Sequence, residues 1–298
     1  MSASELAGVL VVDKPAGPTS HDVVDAVRRA YRLRRVGHTG TLDPFATGVL
    51  PVCLGRATRL ARFLTGHDKA YRATVRLGFA TDTDDLTGRP LGQALPVSAS
   101  LADVGAAARR FLGRQEQLPP AFSAKQVGGQ RLYARARRGE SVERRAAWVS
   151  FHVIEVVSYE PPELVLDVAC SAGAYVRALA RDLGAALGTA GHLAALRRTR
   201  SGPFDLSLAV GLADLDGDPG RLVPLAALLP EFPAVRLEAR QAEAVRHGRA
   251  LPKALVANDL ELEPEGRVRL LDESGGLLAL AFLRLPEGLL QPDVVLAP

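Results

Sequence analysis

Val149-Ser150-Phe151-His152-Val153-Ile154-Glu155-Val156-Val157 and Leu164-Val165-Leu166-Asp167-Val168-Ala169-Cys170, separated by Pro161-Pro162, decide the fold class. Both runs read as strands, and the proline pair between them leaves room only for a tight turn. Strands joined by short Pro-rich turns instead of crossover helices pair antiparallel. Helical spacing resumes from Tyr175 to Leu187. Upstream, Tyr71, Ala73, Val75, Leu77 and Phe79 alternate with Arg72, Thr74, Arg76 and Gly78, the period of a half-buried strand. Gly8 to Val12 is a further short strand; after Asp13-Lys14-Pro15, Thr19 or Ser20 caps a helix carrying Val23, Val24, Ala26, Val27 and Ala30. Ser100 to Phe111 reads as another capped helix. The expected class is α+β with a mixed, largely antiparallel sheet, and nothing resembles a dinucleotide fold or a phosphate-binding P-loop.

The chain has 298 residues, 47% hydrophobic and 23% charged, which fits a globular protein of two domains. The texture changes after a short Leu-rich helix broken by prolines between Pro224 and Pro233. The expected division is residues 1–230 and 234–298. The second part holds a short helix near Gln241 to Arg246 and β-like runs at Val268 to Leu271 and Leu277 to Leu283. No apolar run approaches the roughly 18 residues of a membrane span, and residues 1–8 lack a secretory pattern, so the expected compartment is the cytoplasm. Cys53 and Cys170 sit in apolar contexts without a second ligand at metal spacing and read as buried free thiols.

The formal net charge is only +4, so total charge does not by itself indicate nucleic acid. Lysine occurs only at Lys14, Lys69, Lys125 and Lys253. Nearly all positive charge is therefore guanidinium, which grips phosphate bidentately and stacks on bases; a genomic bias towards Arg explains the same composition. Arg131, Arg135, Arg137 and Arg138 line the exposed side of a helix expected over Leu132 to Arg138, followed by Arg144 and Arg145. Beside Pro119-Pro120 and Gly128-Gly129, this group is expected to face RNA. Asp82, Asp84, Asp85 and Gly88 resemble part of a calcium loop, but without the closing glutamate they read as a solvated acidic turn.

Gly37-His38-Thr39-Gly40-Thr41-Leu42-Asp43-Pro44-Phe45-Ala46-Thr47-Gly48-Val49-Leu50-Pro51 surrounds one carboxylate with turn formers, hydroxyls and apolar residues. Pro44 pushes Asp43 towards extended backbone and fixes the turn after it. Read alone, Asp43 either caps that turn or is aimed by it into a cleft.

This segment closely resembles the motif of the TruB-type tRNA pseudouridine synthases. The likeness continues in Val11 to Ser20, Lys69-Ala70-Tyr71 through Leu77-Gly78, Pro119 to Lys125, and Cys170-Ser171-Ala172-Gly173-Ala174-Tyr175-Val176-Arg177. It covers most of residues 8–205, more weakly over 86–118. The resemblance implies that Asp43 is the catalytic nucleophile, paired with Arg177, and that Tyr71 stacks on the target uracil with its hydroxyl available for proton transfer at C5. It implies that Tyr175 and Leu196 line the same nucleotide pocket and that His38 enters the RNA where the flipped base was. Lys14, between Asp13 and Pro15, is expected to order the loop near Asp43, with phosphate contact as the alternative. Without the resemblance, Tyr71 and Leu196 read as core residues, Leu193 and Leu196 having helical spacing. Ala174 departs from the family, which commonly carries Thr there, so one supporting hydroxyl is lost.

The implied reaction is isomerisation of uridine 55 in the T loop of tRNA, on a flipped-out nucleotide. The resemblance implies no cofactor, metal, membrane or obligate protein partner, and a small C-terminal PUA-like β-barrel touching the acceptor end of tRNA. Two other classes remain open on the residues alone: a non-catalytic RNA-binding or RNA-folding protein, and a hydrolytic glycosylase releasing uracil. A carboxylate in a positive groove repels phosphate, which counts against binding alone.

Overall fold

The computed structural model describes residues 6–121, 126–127, 130–131, 144–256, 262 and 266–296. The expected basic helix over Leu132 to Arg138, with Phe122 to Lys125 of the motif, lies outside the described residues.

An eleven-stranded sheet forms the larger part of the molecule. Its main path runs Val210–Gly211, Gly8–Lys14, Thr47–Leu54, Gly191–Ser201, Lys69–Leu77, Glu163–Cys170, Ala147–Glu160 and Gly113–Gln117. Most neighbours are antiparallel; Gly191–Ser201 against Thr47–Leu54, and Gly8–Lys14 against Val210–Gly211, are parallel. The strands flanking Pro161-Pro162 pair antiparallel from Phe151↔Cys170 to Glu160↔Glu163, as the proline turn requires.

Helices Ser20–Tyr31, Leu101–Arg109 and Val176–Ala186 pack on one face of this sheet. The first two start in capping boxes, Thr19 with Asp22 and Ser100 with Asp103, each satisfying two backbone donors that a helix start leaves open. Their apolar stripes, Val23, Val24, Val27 and Val104, Ala107, Ala108, join Leu10, Val12, Leu50, Val75, Leu166 and Leu179 in the main core.

The Gly191–Ser201 strand corrects the helical reading of Leu193 and Leu196. A bulge between Leu193 and Ala195 inserts one extra residue, so two side chains three apart both point inward from a strand. The expected Leu-rich helix before Pro233 is a single 3₁₀ turn, Leu225–Ala227.

A second, five-stranded sheet follows in the order Ala234–Arg236, Arg267–Leu271, Leu277–Arg284, Leu289–Val295, Leu251–Pro252, with helix Ala239–Arg246 against it. This is the small C-terminal β unit of PUA-like type. It packs on the opposite face of the large sheet, where Leu280, Val294 and Leu296 share one apolar cluster with Val9, Val11, Val49, Leu60 and Leu64. Arg56 donates to the Leu296 carbonyl at 2.7 Å, and Arg62 pairs with Asp293 at 2.6 Å. The guanidiniums of Arg62 and Arg267 lie 4.7 and 5.0 Å from the Phe63 ring centroid.

Candidate active site

Asp43 lies in the loop between strands Val36–His38 and Thr47–Leu54, and the chain around it is tied down at several points. Asp43 and Ala46 close a turn with a 3.0 Å hydrogen bond, and the Gly17 amide donates to Pro44 O at 2.8 Å. Leu42 and Ser20 bond reciprocally, backbone amide to hydroxyl and hydroxyl to carbonyl, at 2.9 and 3.1 Å. Fully buried Lys14 donates to the carbonyls of Pro15, Pro44 and Ala46 at 2.9, 3.1 and 2.7 Å. Burial lowers its pKa to about 8 while the Asp43 carboxylate partly opposes that shift. Lys14 thus orders the Asp43 loop, as its place before Pro15 implied.

Gly48, the second residue of strand Thr47–Leu54, has φ +101°, and a Cβ there would clash with the Arg198 carbonyl. The glycine admits the close parallel pairing that brings Arg198 beside Gly48.

The Asp43 carboxylate receives a two-pronged contact from Arg177: Nε to Oδ2 at 3.1 Å and Nη2 to Oδ1 at 3.4 Å. Arg177 is 6% exposed in the first turn of helix Val176–Ala186. A cation is disfavoured there by the helix dipole, by roughly 0.3–1 kcal/mol, so carboxylates must hold it. Asp43 is one; the other is Asp85, whose Oδ2 accepts from Arg177 Nη1 at 3.1 Å. The same nitrogen donates to Thr83 O at 3.1 Å.

Asp85 overturns the reading of a solvated acidic turn. It is 3% exposed, and its second oxygen accepts from the Thr83 hydroxyl and from both the amide and hydroxyl of Thr87. Asp84, also buried, pairs with Arg181 at 2.8 Å. Two arginines one helical turn apart thus receive two consecutive carboxylates. Sequence reasoning missed Asp85; the one available signal was the spacing of Arg177 and Arg181 on one helix face.

Burial is the largest influence on Asp43 and pushes its pKa above the ordinary 3.8; Arg177 and Lys14 pull it down and Asp85 pushes it up. The fold holds a half-buried carboxylate against a permanent cation.

A cavity of about 420 Å³ opens over this carboxylate, lined by Asp43, Tyr71, Tyr175, Arg177, Leu196 and Arg198 among others. Tyr71 and Arg198 are partners across adjacent strands. Burial raises the Tyr71 hydroxyl, and the neighbouring Arg198 guanidinium opposes this. Arg198, 1% exposed, donates to Val49 O at 2.6 Å and Gly40 O at 3.2 Å. Tyr175 is pinned through its backbone by Gln117, at 2.8 and 3.1 Å. Leu196 is both core and cavity wall, which unites its two readings. His38 stands apart from this lining; its Nδ1 accepts the Gly40 amide at 3.3 Å, leaving the proton on Nε2 in the neutral ring. Cys53 and Cys170 are buried free thiols, both pushed up to about 12 by burial.

Residues 28–176 match the TruB family pseudouridylate synthase (N terminal domain), and residues 177–218 match the tRNA pseudouridylate synthase B C-terminal domain. The tRNA pseudouridine synthase B of Symbiobacterium thermophilum is 50% identical over 250 residues, covering 83% of this chain and 84% of that protein. That of Burkholderia pseudomallei is 43% identical over 298 residues and covers 98% of each. The fold is similar to the structure of an H/ACA RNP bound to a substrate RNA containing 2'-deoxyuridine, with TM-score 0.77, 25% identity, and coverage of 99% of this chain and 86% of that one. It is also similar to a Cbf5-Nop10-Gar1 complex, with TM-score 0.76, 27% identity, and coverage of 98% and 85%. Together with the carboxylate, guanidinium and tyrosine around one cavity, these matches show that the chain belongs to the TruB family of pseudouridylate synthases.

Proposed function

We propose that this protein is a tRNA pseudouridine synthase that isomerises uridine 55 of the T loop, with Asp43 as the nucleophile. The observation that carries this reading is the partly desolvated Asp43 carboxylate, gripped through two nitrogens of Arg177 at the edge of a cavity with Tyr71 in its wall.

The net reaction breaks the bond from ribose C1′ to N1 and forms one from C1′ to C5. The C5 proton is lost and N1 ends protonated, so nothing is oxidised and no water is consumed. Attack by the carboxylate divides one difficult displacement into two easier ones. Arg177 keeps the carboxylate ionised despite burial and orients its oxygens. Tyr71 supports the uracil plane, with its hydroxyl directed to the proton at C5. Tyr175 and Leu196 close the apolar walls around the flipped nucleotide, and His38 fills the space it leaves in the RNA. The reading divides the chain into a catalytic part, residues 1–230, and an RNA-contacting part, residues 234–298, reaching towards the acceptor end.

The test is product analysis on T-stem-loop transcripts carrying tritium at uracil C5. Wild-type protein releases tritium and yields pseudouridine; Asp43→Asn lowers the rate at least about 10⁴-fold, the scale on which loss of a nucleophile acts. Release of free uracil identifies a glycosylase instead, and unmodified RNA with intact binding identifies a binding protein.

A further inference from the structure

The strand Ala147–Glu160 begins where Glu163–Cys170 ends and Lys69–Leu77 starts, at the mouth of the Asp43 cavity. Its second residue is Trp148, the chain's single tryptophan. Trp148 contributes to the cavity lining, yet 59% of its surface stays in water. Its neighbours Val149 and Phe151 turn into the core, so the register of the strand puts the indole outward.

A large aromatic ring left in water forfeits the burial that normally stabilises it. Folding alone gives no reason for tryptophan here. One face of the ring is partnered by a cation: Arg114, on the adjacent edge strand Gly113–Gln117, sets its guanidinium carbon 4.6 Å from the ring centroid. Glu116, directly opposite Trp148, is the one carboxylate on this face of the pair.

An indole backed by a permanent guanidinium offers a π surface with a phosphate-binding group attached, the combination that holds unpaired nucleotides without regard to base identity. Extruding one uridine from a loop leaves its neighbours unstacked at the cavity mouth, where Trp148 stands.

We propose that Trp148, backed by Arg114 at the rim of the Asp43 cavity, is a stacking platform for an unpaired RNA base flanking the extruded uridine. The proposal rests on the reading of the protein as a tRNA pseudouridine synthase, and the experiment separates the two.

Because Trp148 is the only tryptophan, its fluorescence reports this position alone. In free Asp43→Asn protein, acrylamide quenches the emission strongly, and adding unmodified T-stem-loop RNA shifts the emission and shields it. In the otherwise wild-type enzyme, Trp148→Ala raises KM on the order of tenfold with kcat unchanged, whereas Trp148→Phe restores most of the affinity. An abasic nucleotide beside the target reproduces the Trp148→Ala penalty, and the two changes combined cost no more than one. The proposal falls if the indole is already shielded before RNA is added, if RNA leaves its emission unchanged, or if Trp148→Ala has wild-type KM while the parent enzyme makes pseudouridine. Failure of the parent to make pseudouridine would refute the assigned reaction, while RNA-dependent shielding would still decide the stacking.

Discussion

Arg177 stands between Asp43 and Asp85, and Arg177 and Asp85 shift Asp43 in opposite directions. The positive guanidinium lowers the Asp43 pKa and the Asp85 charge raises it, on top of a larger upward shift from burial. A nucleophile must be ionised to attack, so if Asp43 has the proposed role, activity is lost as pH falls through its folded-state pKa, which lies above 3.8. Arg177→Met therefore moves the acid limb of the kcat profile to higher pH and slows turnover strongly. Asp85→Asn moves that limb to lower pH. Single-turnover rates across the acid range check both directions; shifts of the same sign in the two variants would refute this electrostatic picture. Arg177→Met also leaves the buried Asp85 carboxylate without its charged partner, a loss of about 3–5 kcal/mol that thermal unfolding measures. None of this was visible around Asp85 in the sequence. Its partner lies 92 residues away, and a run of aspartates with glycine looks solvated when only neighbours are considered.

Among the elements, the paired strands around Pro161-Pro162 were legible because period-two alternation and a tight turn are local properties, and so were the capped helices at Ser20–Tyr31 and Leu101–Arg109. The strand holding Leu193, Leu196 and Arg198 was not. Its bulge breaks the two-residue period, and the pairing that makes it a strand comes from Lys69–Leu77 far away in sequence. Its parallel contact with Thr47–Leu54 depends on Gly48, where positive φ and the nearby Arg198 carbonyl both exclude a side chain. Gly48→Ala is expected to lower stability by at least about 2 kcal/mol and to reduce kcat as the Asp43 loop and the Tyr71–Arg198 wall move apart. Urea unfolding measures the first effect and steady-state kinetics the second. Gly17→Ala, at positive φ with open space around its Cβ position, separates backbone strain from the clash.

For the molecule as a whole, the motifs of the first two thirds told more than those after residue 230, because chemistry demands particular residues whereas a small β unit tolerates many. The likeness of the C-terminal part rested on weak strand and turn signals, and its docking on the rest of the chain left no mark in periodicity. Val9, Val11 and Val49 show alternate positions of the large sheet turned away from the main core, and Leu280, Val294 and Leu296 cover them from the second sheet. Ending the chain at residue 230 exposes that cluster, at about 1.5–3 kcal/mol for each large side chain uncovered. Such a truncation is expected to be poorly soluble and to lose thermal stability as well as RNA affinity.

That shared apolar seam governs how the protein melts. Neither sheet can give up its contacts without stripping the other, so the two come apart in one step even though they lie in successive stretches of chain. Differential scanning calorimetry should register a single endotherm whose van't Hoff and calorimetric enthalpies agree; two resolved peaks would mean that the sheets melt independently.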